Sequence, residues 1–250
     1  MLTRNDLETY GPPGFHLAQK EKDYVQHWML AFLSQSGFGG VFKGGTCLQK
    51  AFNLPRFSED LDFTINEAKE PDEKAIFAYL SSAGFSGLVW KIEARDDSSG
   101  AKLRFRGPLY NGSSISEGVI SLDFSKREKT MLEAHAMMIS PPYPDILPYQ
   151  LKVMDKTEIA AEKIRAILSR RSARDLFDLY FLLHNKTIIR KGVVKEKLSY
   201  YKLNFDYNEF EAKVKKLKDA WKTEIPALTP NMIDYEVVAK AVLFGVKKRI

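Results

Sequence analysis

Cysteine is nearly absent from these 250 residues: Cys47 stands alone, which excludes an intramolecular disulfide and points to a reducing compartment. Long apolar runs are missing too. No stretch approaches the ~18 consecutive apolar residues that a membrane span needs. The opening segment MLTRNDLETYGPPG has no apolar signal core, so a cytoplasmic protein without a membrane partner is expected. His16, His27, His135 and His184 are dispersed, and no zinc-ligand spacing exists. A GxxxxGK phosphate loop, a GxSxG elbow, a kinase signature and internal repeats are all missing. These absences set aside disulfide scaffolds, zinc proteins, P-loop enzymes, serine hydrolases and kinases.

Charge is plentiful and unevenly placed. The formal charge is +6, and 44% of residues are hydrophobic, which is ordinary for a chain able to bury a core. Residues 151–250 hold 22 Lys/Arg against 13 Asp/Glu, leaving 16 against 19 for residues 1–150. A +9 and −3 division suits a polyanionic partner gripped by the C-terminal half, although solvated helix surfaces produce the same bias.

Hydrophobic spacing then orders the chain. Apolar residues Tyr24, Val25, Trp28, Met29, Phe32 and Leu33 recur at helical steps over 16–36. A short strand, Val41-Phe42-Lys43, runs into Gly44-Gly45 and a helix that Thr46 is expected to cap, and a second strand covers Leu61–Ile65. A helix is expected over 70–83, and strands over 87–94, 102–109, 118–124 and 146–153. Turn-forming segments at Asp96–Gly100 and Asn111–Ser114 separate the first three of these. From Asp155 onward the pattern is helical, over 157–169, 173–184, 190–201, 207–221 and 231–248. The reading is an α+β chain with a mixed-sheet core in residues 1–150 and a basic helical bundle in residues 151–250.

Within this frame one stretch carries chemistry. Gly44 and Gly45 allow close backbone approach to a ligand, and a helix start beside them offers N–H groups and a positive dipole end to phosphate. Fourteen residues after Thr46 comes Asp60, with Asp62 on the same strand face, while Leu61, Phe63 and Ile65 turn to the core. Two carboxylates so spaced can hold divalent ions, and two Mg²⁺ ions ~4 Å apart clamp the attacking and leaving oxygens of a phosphoryl group. Asp123, late on a mostly apolar strand, is either satisfied locally or a third ligand. Lys163 lies on a helix face with Ile159, Ala160 and Ile167, so it either reaches solvent or presents a fixed ammonium. Asp175 and Asp178 share a face of a helix that is apolar nearly all round; pairing with Arg171 and Arg174 is their plainest explanation.

Gly44-Gly45-Thr46, with Leu48 and Lys50 on the following helix, and then Arg56-Phe57-Ser58-Glu59-Asp60-Leu61-Asp62, resemble the opening motif of the DNA polymerase β-like nucleotidyltransferases. Within these the stretch is most similar to the AbiEii/AbiGii toxins of type IV toxin–antitoxin systems, whose later motifs are matched by Glu158, Lys163, Arg174, Asp175, Asp178 and Leu179. The resemblance implies a polymerase β-like core and transfer of NMP from an NTP to a hydroxyl, with Mg²⁺ or Mn²⁺ held by Asp60, Asp62 and Asp123. It implies nucleotide binding by Lys43, Gly44, Gly45, Thr46, Arg56, Ser58 and Lys163, and catalytic roles for Asp60, Asp62, Lys163 and one of Asp175 and Asp178. The implied acceptor is RNA, above all the 3′ end of tRNA, and the implied partner is an AbiEi-like antitoxin encoded nearby. Transfer to a small molecule or protein hydroxyl, and a non-catalytic nucleotide- or RNA-binding role in defence, are the alternatives.

Overall fold

The computed structural model describes residues 1–65, 69–95 and 98–250, so Asp96 and Asp97 of the expected first hairpin turn lie outside the described residues. Among the described residues there are seven strands and ten α-helices, an α+β arrangement with a mixed sheet. The chain divides into two compact units, one of residues 1–53, 57–129 and 134–153 and one of 54–56, 130–133 and 154–250. No helix among the described residues is long and apolar enough to cross a membrane.

The first unit is built on the sheet β3-β4-β5-β2-β1-β7-β6, formed by β1 (Val41–Lys43), β2 (Asp60–Thr64), β3 (Ser86–Arg95), β4 (Ser98–Arg106), β5 (Gly118–Ser125), β6 (His135–Ile139) and β7 (Tyr149–Val153). Strand β1 runs antiparallel to β2 and parallel to β7, and β2 runs parallel to β5. Register decides what each face carries. Phe42 pairs with Phe63 and Phe63 with Phe124, so three fully buried rings stack across β1, β2 and β5, with centroids 5.2 and 5.8 Å apart. Burying each ring stabilises the unit by roughly 1.5–3 kcal/mol. Strand alternation then turns the intervening residues Asp62 and Asp123 to the opposite face.

Helices α1 (Arg4–Tyr10), α2 (Leu17–Gln35), α3 (Gly44–Phe52) and α4 (Glu73–Ser82) complete this unit. The long α2 lies against β5 and β7 and buries the apolar stripe read from its spacing, including Tyr24, Val25, Met29 and Leu33. The second unit contains α5 (Lys156–Ser169), α6 (Ala173–His184), α7 (Lys191–Ser199), α8 (Tyr207–Lys215), α9 (Lys218–Glu224) and α10 (Tyr235–Lys247).

Several details depart from the sequence reading, among them β4, which begins at Ser98 inside the expected turn, and the last helix, which begins at Tyr235. The short α1 lies in the opening segment, for which no helix was expected; it forms because Thr3 and Asp6 make a reciprocal capping box and Leu7 buries. Strand β6 escapes the pattern because it is an edge strand with Met138 61% exposed and no alternation. The helix expected over 207–221 breaks at Lys216 and Leu217, since Phe210, Val214, Leu217 and Trp221 keep helical spacing across the break and hide it. The final strand begins only at Tyr149, not Ile146.

Candidate active site

At the end of β1 the chain turns sharply. Gly44 has φ 77°, and a Cβ placed there would lie 2.2 Å from Asp62 Oδ2, so only glycine lets the carboxylate sit against the start of α3. Lys43 and Asp62 are register partners across β1 and β2. Helix α3 begins at Gly44, and its cap residue Lys43 makes no side-chain capping bond. The expectation that Thr46 caps the helix is therefore corrected. Thr46 lies inside the first turn, fully buried, and its hydroxyl donates to the Asp60 carbonyl, which ties the helix start to the start of β2.

Asp62 pairs in register with Asp123, and Asp60 pairs with Ser121, on the parallel strands β2 and β5. The three carboxylates thus project from one sheet face, Asp60 exposed and Asp62 and Asp123 half-buried. Like charges directly opposite on adjacent strands repel unless a cation or a donor compensates them. Among the described residues no three His, Cys, Asp or Glu side chains draw close enough to enclose a cation alone. The donor set still suits Mg²⁺, which takes hard oxygens from one or two carboxylates and fills its other positions with water and phosphate.

The segment leading into β2 is held from behind by residues that no motif had marked. Gln26 Nε2 donates to the carbonyls of Ser58 and Glu59 at 2.9 and 2.8 Å, while Gln49 Oε1 accepts from the Ser58 N–H at 3.0 Å. Gln49 Nε2 in turn donates to Asp23 at 2.8 Å, and Asp23 also accepts from Tyr143 and from the buried Lys50 ammonium. Burial favours a neutral Asp23, but Lys50 foremost holds its carboxyl below the usual range. Burial, aided by Lys50, pushes His27 down to about 3 despite Asp23, so the ring is neutral and Nδ1 meets the Tyr149 hydroxyl at 2.7 Å. Ser58 is buried within this scaffold. Nothing in the local spacing marks Asp23, Gln26 and Gln49, because polar residues stand beside each of them on α2 and α3.

The second unit gathers the other predicted residues. Lys163 Nζ lies 3.0 Å from Asp175 Oδ1 and 2.7 Å from Asp178 Oδ2. Arg56 grips Asp178 with Nε and one terminal nitrogen, both at 2.7 Å, and Arg170 grips Asp175 at 2.8 and 3.0 Å. The partners of the two aspartates are thus Arg56, Lys163 and Arg170, brought from other segments, rather than the helical neighbours expected. Burial would raise both aspartates, but Arg56 and Lys163 hold Asp178 low, and Lys163 with Arg170 holds Asp175 low. Burial would lower Lys163, and the two carboxylates more than reverse it. All three groups are charged, and one of the three Lys163 protons has no partner among the described residues.

Glu158, matched to a family motif, is fully buried and accepts from the Met131 and Leu132 N–H groups at 2.9–3.0 Å. It also meets Lys197 at 2.7 Å, and Lys197 reaches Glu162 at 3.0 Å. Buried Lys197 was invisible to motif reading because nothing in its helix repeat separates it from the surface lysines. Of the predicted site residues, then, Lys43, Gly44, Gly45, Thr46, Ser58, Asp60, Asp62 and Asp123 belong to the first unit, and Arg56, Lys163, Asp175 and Asp178 to the second.

Solved structures share this fold. The structure is similar to JHP933 from Helicobacter pylori, with TM-score 0.62 and 21% identity over 91% of this chain and 89% of that one. It is also similar to MenT4, a nucleotidyltransferase toxin from Mycobacterium tuberculosis, with TM-score 0.59 and 22% identity over 98% of this chain and 88% of that one. Among curated proteins nothing matches. At such identities the likeness speaks for fold alone. A family model goes further: residues 30–241 match that of the nucleotidyl transferase AbiEii toxins of type IV toxin–antitoxin systems, and the chain belongs to this family.

Proposed function

We propose that the protein transfers NMP from an NTP to a hydroxyl of an RNA acceptor, the 3′ end of tRNA being the leading candidate, and that this arrests growth until an AbiEi-like antitoxin counters it. The observation that carries the reading is the set of Asp62 against Gly44 and Asp62 beside Asp123, with Asp60 on the same face. Asp60, Asp62 and Asp123 would hold Mg²⁺ or Mn²⁺, which supplies charge neutralisation at the phosphates and acidifies the attacking hydroxyl. Gly44 and Gly45 open a helix whose cap residue Lys43 makes no side-chain capping bond, and the backbone N–H groups of its first turn, with Lys43 beside them, would seat phosphate oxygens. Thr46 serves this seat indirectly, by fixing the turn to Asp60. Ser58 acts in the same way, as the held point of the segment before β2.

In the helical unit the catalytic role falls to Lys163, whose remaining N–H is available to an anion. Asp175 and Asp178 orient it and keep it protonated, and Arg56 orients Asp178. Preorganised cations of this kind stabilise charge that grows on departing pyrophosphate.

The test is incubation of purified protein with each labelled NTP, Mg²⁺ and a tRNA pool. Label is expected on RNA, and Asp60→Asn or Asp62→Asn is expected to reduce transfer by about a hundredfold or more. No transfer with any NTP across several RNA pools would sink the proposal. Label appearing on protein or a small molecule instead would keep the chemistry and replace the acceptor.

A further inference from the structure

The helical unit contains a cavity that no step above uses. It measures about 420 Å³, within the range of small-ligand sites, and opens between α7, the loop 203–206 and the start of α8. Its floor is apolar, with Val194 and Leu198 buried. Its mouth is basic. Lys191 and Lys195 are exposed there, Lys191 also donating to a main-chain oxygen of Ile250 at 2.9 Å. Outside the lining, Lys247 stands 5.2 Å from the centre of the Tyr207 ring. The carboxylate in the lining, Asp206, is turned to helix α8, where it accepts from the Glu209 N–H at 2.7 Å.

An apolar floor alone would accept any hydrophobe, and lysines alone any anion. Here the half-exposed Phe205 and Tyr207 line the same cavity, together with Asn204. That combination fits a flat ring joined to a phosphate. We propose that this cavity seats one unpaired nucleotide of the acceptor RNA, its base against Phe205 and Tyr207 and its phosphate near Lys191 and Lys195. The inference rests on the RNA-acceptor reading. Stacking and point charges are indifferent to base identity, so the seat grips a strand without reading its sequence. A free nucleotide shares this chemistry, and the test separates the two sources.

The experiment uses the full chain and a fluorescent single-stranded RNA that carries 4-thiouridine. Crosslinks are expected on the peptides holding Phe205 or Tyr207. Lys191→Glu with Lys195→Glu, both at exposed positions, is expected to weaken RNA binding about tenfold or more and to flatten its salt dependence. Phe205→Leu keeps apolar bulk toward Phe210 and is expected to weaken binding about fivefold. Binding unchanged by the double charge reversal, or crosslinks confined to other segments, overturns the proposal. So does ATP blocking the crosslink where unlabelled RNA does not, because the seat would then serve the free nucleotide. NTP-dependent label transfer is measured on the same preparations. Crosslinking at the cavity without transfer in any pool would leave the seat standing and remove only the transferase reading.

Discussion

Two buried charge clusters, one in each unit, differ in where their hydrogen bonds end. The cluster around Asp23 holds one carboxylate, the Lys50 ammonium and a neutral His27, and its amide arm Gln49 finishes on the backbone at Ser58. Its charges cancel. The cluster around Lys163 joins ion to ion, with Arg56, Lys163 and Arg170 against Asp175 and Asp178. Three of these five groups are cations and two are carboxylates. A balanced network that ends on backbone is suited to hold a loop still, and a cationic network with an available N–H is suited to meet an anion.

The comparison breaks hardest at Asp178. Replacing it with alanine leaves Arg56 and Lys163 buried without their shared carboxylate, and removal of one partner from a buried pair typically costs about 3–5 kcal/mol. Urea unfolding of Asp178→Ala is expected to show a loss of that order. A loss under ~1 kcal/mol would mean that the cluster is not held as the structure has it.

Acid separates the clusters next. His27, with Asp23, Lys50, Tyr143 and Tyr149 around it, has its folded value depressed to about 3, below the ~6.5 of an exposed histidine. The unfolded chain therefore binds a proton that the folded one refuses, and stability falls as pH drops from ~6.5 toward 3. Asp175 and Asp178 are also depressed, from the ordinary carboxylate value near ~3.9. Their contribution is complete above that value and is lost as pH falls through their lowered folded values. Between pH ~6.5 and ~4 the first unit should weaken while the Lys163 cluster holds. Denaturation monitored over this window is expected to show a pH slope in the wild type that His27→Gln flattens, and an unflattened slope would place the sensitivity elsewhere.

The backbone end of the first cluster supplies a smaller effect. Gln49→Leu leaves the Ser58 N–H without its acceptor and takes one donor from Asp23, at about 1–3 kcal/mol. Because Ser58 lies two residues before Asp60, transfer is expected to fall further than stability alone explains. Assays at a temperature where the variant is fully folded decide this, and unchanged transfer there would make Gln49 a packing residue only.

These expectations rest on unequal foundations in the sequence. The core-facing side chains of Leu61, Phe63 and Ile65 and the face of Asp60 and Asp62 follow from strand alternation, which is local and therefore readable. Register is not local. Nothing in the spacing set Asp123 beside Asp62, and only the pairing of β2 with β5 does so. Thr46 was misassigned because a hydroxyl at a helix start has two uses, capping and tying, and the choice depends on a carbonyl fourteen residues away. Arg56 was read with the phosphate seat because its motif neighbours belong there, yet its guanidinium holds Asp178, 122 residues on. Sequence motifs name such residues well and their partners poorly, since partners are chosen by the fold.

The smallest expected effect tests the edge of the Lys163 cluster. Arg170 grips Asp175 with two nitrogens, but its side chain is 62% exposed, whereas Arg56 is 2% exposed. Water and salt screen the exposed pair, so Arg170→Gln should lower stability by less than about 1 kcal/mol, and added salt should shrink the difference further. Transfer should respond differently from stability. Without Arg170, Asp175 keeps only Lys163 among these cations and draws its ammonium more closely. A raised KM for NTP with little change in Tm is therefore expected for Arg170→Gln, while Arg170→Lys restores it in part; equal kinetics in all three proteins would show that the net charge of the cluster is irrelevant to the substrate.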